Sequence, residues 1–209
     1  MSDFINTIDV LGDDAVIDSI INRSIVEFKD DVITSVGNYA FNDCTALETI
    51  DLPNVTYLGT YAFRNCKALK MLDFPNIVEV GAYVQTIGDC GEGEAHIKLP
   101  RVTKIGTFGF RDFAPFIAEF SSAVTFANNA FGTSYRGCGY LILRSDAMSV
   151  MSGTAIFASD IKNAILVPRS LIDSYKVATN WSAYADKFKA IEDYTVDGTT
   201  TGELDKTKI

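Results

Sequence analysis

An α/β solenoid of about six stacked rungs is the fold this sequence predicts, on three observations: an ungapped internal repeat, a proline closing the strand-like segment of each clear copy, and an aromatic-Ala-Phe triplet on the same period. Laying residues 37–58 over 59–80, GNYAFNDCTALETIDLPNVTYL over GTYAFRNCKALKMLDFPNIVEV, gives ten identities in 22 positions. Phe41 and Phe63, Cys44 and Cys66, Leu47 and Leu69, and Pro53 and Pro75 are all 22 residues apart. A period in the twenties is that of leucine-rich solenoids, in which no rung buries its apolar residues alone.

The elements follow from the repeat. The segment LETIDLP reads as a short strand with Leu47, Ile50 and Leu52 facing inward and Thr49 and Asp51 facing out, and Leu69, Leu72 and Phe74 repeat the inward set. Proline removes a ladder donor and turns the chain, and Gly37, Gly59, Gly81 and Gly106 are expected to take backbone angles other residues avoid. Phe41, Phe63, Phe110 and Phe131 are expected to stack as a column inside the solenoid. The third copy carries three extra residues near GDCGEGEAHIKLP, since Pro75 and Pro100 are 25 apart. These read as an outward loop. A fourth copy starts at Gly106 and a fifth near Ala127, and a degenerate last rung runs from Ala155 to Pro168.

The pattern YAF, a Cys three residues on, a Leu three beyond it and a strand ending before Pro resembles the BspA-type leucine-rich repeats of bacterial surface proteins, over roughly Val32 to Pro168. The resemblance implies a right-handed solenoid used for adhesion or protein binding.

Open solenoids need covered ends. Residues 1–31 are read as an N-terminal helical cap, with Val16, Ile17, Ile20 and Ile21 on one helical face and Asp13 or Asp14 at its start. Residues 32–168 form the solenoid. Residues 169–192 are read as a C-terminal helical cap, with Ser170 and Asp173 as a starting box and Trp181, Tyr184 and Phe188 at helical spacing. The cap sequence, YKVATNWSAYADKF after a Val-Pro, is similar to the one that ends this repeat family. Residues 193–209 are a threonine-rich tail too polar for its own core, read either as flexible or as an arm docking on a partner subunit.

Charge and composition narrow the function. A net charge of −9, with basic residues scattered singly, disfavours nucleic acid. No apolar run long enough for a membrane span is present, and the first residues lack the pattern of a secretory signal. Cys44, Cys66, Cys90 and Cys138 lack the spacing of a zinc or dithiol site and read as reduced thiols. No cofactor is expected. His96, the single histidine, reads as an outward surface residue with no carboxylate or nucleophile placed near it. Asp89, Glu92 and Glu94 offer oxygen atoms but not the spacing of a calcium loop, so a solvated loop is the reading.

Outward strand positions align as two columns: Thr49, Met71, His96 and Ile117, beside Asp51, Asp73, Lys98 and Glu119. This strip is the candidate binding face. The expected function is non-catalytic: a binding or structural protein whose ligand is a protein or a host-surface glycan. Residues 8–25, IDVLGDDAVIDSIINRSI, and the threonine-rich tail resemble segments of phage and prophage structural proteins. That likeness, with the lack of a secretory signal, points to a virion-associated or host-attachment protein whose termini contact other virion subunits. A bacterial cell-surface adhesin and an intracellular interaction scaffold are the alternatives, and a metal-dependent hydrolase using the 89–94 loop is a further one.

Overall fold

Two rows of short parallel strands build the molecule. The computed structural model describes residues 24–81, 95–110, 115–131, 138–153 and 161–194. The first row holds β1 (Glu27–Lys29), β3 (Thr49–Asp51), β5 (Met71–Asp73), β7 (His96–Lys98), β9 (Ile117–Phe120), β11 (Cys138–Leu143), β13 (Ile161–Val167) and the terminal β14 (Phe188–Ala190). The second row holds β2 (Ser35–Val36), β4 (Tyr57–Leu58), β6 (Glu79–Val80), β8 (Lys104–Ile105), β10 (Thr125–Phe126) and β12 (Val150–Met151). The pairing follows rung order, with β5, β7, β9, β11, β13 and β14 in one continuous sheet. Met71 pairs with His96 and His96 with Ile117, so the three extra residues of the third copy do not disturb the register.

The rungs close over one core. Leu47, Ile50 and Leu52 are buried, as are Leu69, Leu72 and Phe74 of the next rung, in agreement with the inward positions read from the repeat. Phe41 and Phe63 stack with centroids 5.0 Å apart, and Phe110 and Phe131 lie 5.3 Å apart at a tilt. Each such side chain contributes about 1.5–3 kcal/mol on burial, and its neighbours belong to adjacent rungs, so stability is shared along the stack. Cys44, Cys66 and Cys138 are buried. The Cys66 thiol donates to the Phe41 carbonyl at 3.1 Å. Cys90 lies outside the described residues.

The α component of the expected class is not found in the rungs. Between residues 24 and 167 the described return limbs are turns, not helices. The reason is backbone geometry: Tyr39, Asp43, Tyr61, Asn65, Phe108 and Asn129 have φ between 51° and 62°, the left-handed region that interrupts a right-handed helix. The limbs are held by bonds between rungs: the amides of Tyr39, Phe41 and Asp43 donate to the carbonyls of Thr60, Ala62 and Arg64 at 2.7–2.9 Å. The molecule is therefore a parallel β-solenoid. Gly59 also differs from expectation. Its φ is not left-handed, and a Cβ there would meet the Asn38 nitrogen and the Gly37 carbonyl carbon at 2.5 Å. Glycine stands at that position because two rungs approach too closely for a side chain.

The proline turns carry their own ladder. Asn76 Nδ2 donates to the Pro53 carbonyl at 2.8 Å and Ser122 Oγ to the Pro100 carbonyl at 2.9 Å, each one rung back. Backbone oxygens that proline cannot help pair within the strand row are thereby satisfied.

The C-terminal cap is only partly helical. One α-helix, α1 (Ile172–Val177), is followed by a 3-10 turn at Trp181–Tyr184 and by strand β14. Asn180, with φ of 65°, breaks the expected helical run. Phe188 instead enters a strand that pairs with Ile165. Neither Ser170 nor Asp173 caps the start. The Glu192 carboxylate accepts the Arg169 amide at 3.1 and 3.2 Å in their place. The cap is fastened through buried Ser149. Its amide donates to the Tyr175 hydroxyl at 2.7 Å, its carbonyl accepts Trp181 Nε1 at 2.9 Å, and its hydroxyl accepts the Val124 amide at 3.0 Å. The proposed N-terminal helix and the threonine-rich residues from 195 onward lie outside the described residues.

Candidate binding face

Outward positions of the first strand row line up across the rungs. Asp73, Lys98 and Glu119 are in register, and Ile142 and Leu166 extend that column toward the C-terminus. The neighbouring column runs Met71, His96, Ile117, Tyr140 and Ala164. The chain enters β5 beside β3, where the Lys70 amide donates to the Glu48 carbonyl at 3.2 Å. On the first rung Glu27 and Lys29 stand opposite Thr49 and Asp51.

Exposure divides this strip in two. Glu27, Lys29, Thr49 and Asp51 lie on the solvated side of their strands, and Met71, Asp73 and Lys98 are half-buried. His96, Ile117 and Glu119 are instead 6%, 4% and 3% exposed. The outward, solvated position expected of His96 is thus corrected: it points away from the solenoid core but is covered. Beyond it, Tyr140, Ile142, Ala164 and Leu166 form with Ile117 a second apolar cluster, packed by Phe116, Ile191 and Tyr194. The sequence carried a signal for this. CGYLIL and AILV are continuous apolar runs without the polar alternation of a strand solvated on one face, and such runs mark strands covered on both faces.

At the boundary lies a charged group that spans three rungs. Glu119 Oε2 meets His96 Nε2 at 3.2 Å, and Glu119 Oε1 accepts Arg144 Nε at 2.6 Å. Burial by itself would raise the Glu119 carboxyl, but the hydrogen bonds from His96 and Arg144, with the attraction of the guanidinium, outweigh it and hold the group below its ordinary range. An ionised carboxylate only accepts, so His96 Nε2 is the donor. That leaves His96 Nδ1 buried and, among the described residues, without a hydrogen-bond partner. The expectation that no carboxylate lies near His96 is overturned. Placing the two columns side by side makes Glu119 the diagonal neighbour of His96 on the next strand, within reach of a long side chain.

Nearer the open half, Lys98 Nζ lies 3.9 Å from Asp73, and Lys29 Nζ 3.1 Å from Glu27. Burial pushes the Asp73 carboxyl up, partly offset by Lys98. Among the described residues no cluster of three or more His, Cys, Asp or Glu suited to a metal occurs. Asp89, Glu92 and Glu94 lie outside them. No helix among the described residues is long and apolar enough to cross a membrane.

A family model described as a BspA type leucine rich repeat region matches residues 19–134 in six copies, more than half of the chain. The chain belongs to the BspA-type leucine-rich repeat family. The match begins before the first described strand and ends within the fifth rung, whereas the BspA-type stack itself continues through β11, β12 and β13 to the cap. Solenoids of the leucine-rich class serve as protein-binding or structural scaffolds, presenting surface along stacked strands. A comparison with curated proteins found no match.

Proposed function

We propose that this chain is a non-catalytic binding and structural module, and that its ligand meets the open, N-terminal half of the outward strand face: Thr49, Asp51, Met71, Asp73 and Lys98, flanked by Glu27 and Lys29. The observation that carries the reading is the break in exposure along the outward positions of the first strand row, between Lys98 and Glu119, which are in register. Side chains at these positions stand on paired strands about 4.8 Å apart, so the scaffold fixes their spacing before a ligand arrives and little ordering cost is left for binding. The strip offers mixed charge and no aromatic ring on which a sugar would stack. A protein surface suits it better than a glycan.

His96, Ile117 and Glu119 stand outside the contact area in this reading and act as its wall. Among the described residues the His96–Glu119 pair lacks the partners that general acid–base chemistry needs: one ring nitrogen is taken by the carboxylate and the other is sealed from solvent.

As the setting we propose a phage virion, with the chain on the head or tail and a role in host attachment. The likeness of residues 8–25 and of the threonine-rich tail to phage structural proteins supports this. The test is density-gradient sedimentation of particles from an infected or induced host, followed by peptide mass spectrometry and by addition of the purified chain to particles and to host cells. Co-sedimentation with particles in every chain, with binding to host cells lost in Asp51→Arg/Asp73→Arg and kept in Glu79→Arg on the second strand row, is the expected result. Recovery of the chain only in the host-membrane fraction would overturn the virion setting.

A further inference from the structure

The return limbs of two successive rungs carry a pair of stacked phenylalanines inside the molecule and a pair of stacked tyrosines outside it. Phe41 and Phe63 are buried and stack in the core. Two residues earlier on the same limbs, Tyr39 and Tyr61 stack with centroids 5.1 Å apart at 25°, yet Tyr39 keeps 40% of its surface exposed. Their φ angles are 59° and 57°, a conformation that bulky side chains rarely adopt and that Asn and Asp tolerate best. The limbs use those tolerant types elsewhere. Asn129 takes the equivalent position in the copy that starts at Ala127, and Asp43 and Asn65 take the second left-handed position of these same two limbs. The backbone alone therefore does not call for tyrosine here, and aromatic packing between the rungs is already supplied by Phe41 and Phe63. What the tyrosines add is an aromatic surface on the exterior, held in place by two rungs.

A cation stands beside that surface. The Arg64 guanidinium lies 5.4 Å from the centroid of the Tyr61 ring, and the residue is exposed and makes no ion pair among the described residues. Asp43, whose amide donates to the Arg64 carbonyl, is not its partner: the carboxylate accepts Asn42 Nδ2 at 3.0 Å and Asn65 Nδ2 at 2.7 Å. Asn38, next to Tyr39 in the chain, turns its Oδ1 to the Thr60 amide at 2.7 Å. Its exposed Nδ2 group is left without an acceptor among the described residues. We propose that Tyr39, Tyr61, Arg64 and Asn38 form a binding site for a carboxylated sugar of a glycan. The C–H face of the pyranose ring lies on the tyrosines, its carboxylate meets Arg64, and a ring hydroxyl accepts from Asn38. A guanidinium suits a carboxylate because its N–H groups form two parallel bonds to the two oxygens. A neutral sugar leaves that cation unused, and a carboxylate without a ring leaves the tyrosines unused. Tyrosine offers its contact area with little side-chain freedom to lose, and the Tyr39 backbone is pinned by its amide bond to the Thr60 carbonyl at 2.9 Å. The site lies on the return limbs, not on either row of strands, so it does not rest on the strand-face reading.

The test is calorimetric titration of the full chain with the β-1,4-linked trisaccharide of glucuronate, with cellotriose as its uncharged counterpart and triglutamate as carboxylates without sugar rings. The expected result is binding of the glucuronate trisaccharide, with the other two weaker by about tenfold or more, because each uses only half of the site. Tyr39→Asn removes the ring but suits the left-handed backbone. It should weaken glucuronate binding by about tenfold with thermal unfolding still cooperative, and Tyr39→Phe should keep the affinity. Arg64→Gln should bring the glucuronate trisaccharide down to the level of cellotriose. Tyr57→Ser, which removes an exposed tyrosine on β4, should change nothing. Absence of glucuronate binding would overturn the proposal. Equal binding of cellotriose or of triglutamate would overturn the acidic-sugar assignment, and unchanged affinity in Tyr39→Asn or in Arg64→Gln would put the sugar elsewhere on the molecule and overturn the site.

Discussion

Glu119 and Gly59 show how single residues tie neighbouring rungs together. The Glu119 carboxylate is shared between His96 on the rung before and Arg144 on the rung after, with Asp73 as the like charge nearby. Its folded-state pKa is depressed below the ordinary 4.5, so its stabilising contribution is fully present above that value and is lost as pH falls through the lower, folded value. Glu119→Gln should therefore be less stable than the parent near neutral pH, and the difference should shrink as pH drops below about 4.5; denaturant midpoints across that range measure it. Gly59→Ala should destabilise by about 1–3 kcal/mol, since the new Cβ meets main-chain atoms of the adjacent rung. The glycine was legible as a special position. Its reason was not, because close approach between rungs depends on stacking distance and leaves no local sequence mark.

Strands, limbs and cap were legible to different degrees. The first strand row and its register could be counted from the repeat, since inward leucines and outward polar residues alternate over several copies. The second row, two residues per strand, is too short to show a period of two. The return limbs look compatible with helix by composition. They are turns because Tyr39, Asp43 and their equivalents adopt left-handed angles, a choice that the inter-rung hydrogen bonds stabilise and that these residue types do not advertise. In the cap, Trp181, Tyr184 and Phe188 fall at helical spacing, yet the edge of β13 needed a strand partner and took Phe188–Ala190. The cap's anchorage gives a prediction at this scale. Tyr175→Phe removes the acceptor for the buried Ser149 amide and should cost about 1–3 kcal/mol, read as a lower urea midpoint with little change in helix signal. Trp181→Ala should cost about 3–5 kcal/mol, because the ring packs against Phe126, Tyr175 and Phe188.

As a whole the molecule is a stack whose outward face has two characters: charged and open over the early rungs, apolar and closed over the later ones. The columns of that face were visible in the sequence, and so were the apolar runs at its later end. What could not be read was the consequence of combining them, that His96, Ile117 and Glu119 belong to the covered half. Family membership establishes the scaffold, and the division of exposure is what points to a contact area within it. The most direct measurement of that claim places a photo-reactive amino acid at Thr49, at Met71 or, as control, at Thr125 on the second row, and irradiates each chain with purified virions and with host cells. Adducts from positions 49 and 71 to one and the same partner protein, and none from 125, are the predicted result. Adducts from position 125 alone would place the ligand on the other row of strands and contradict the account.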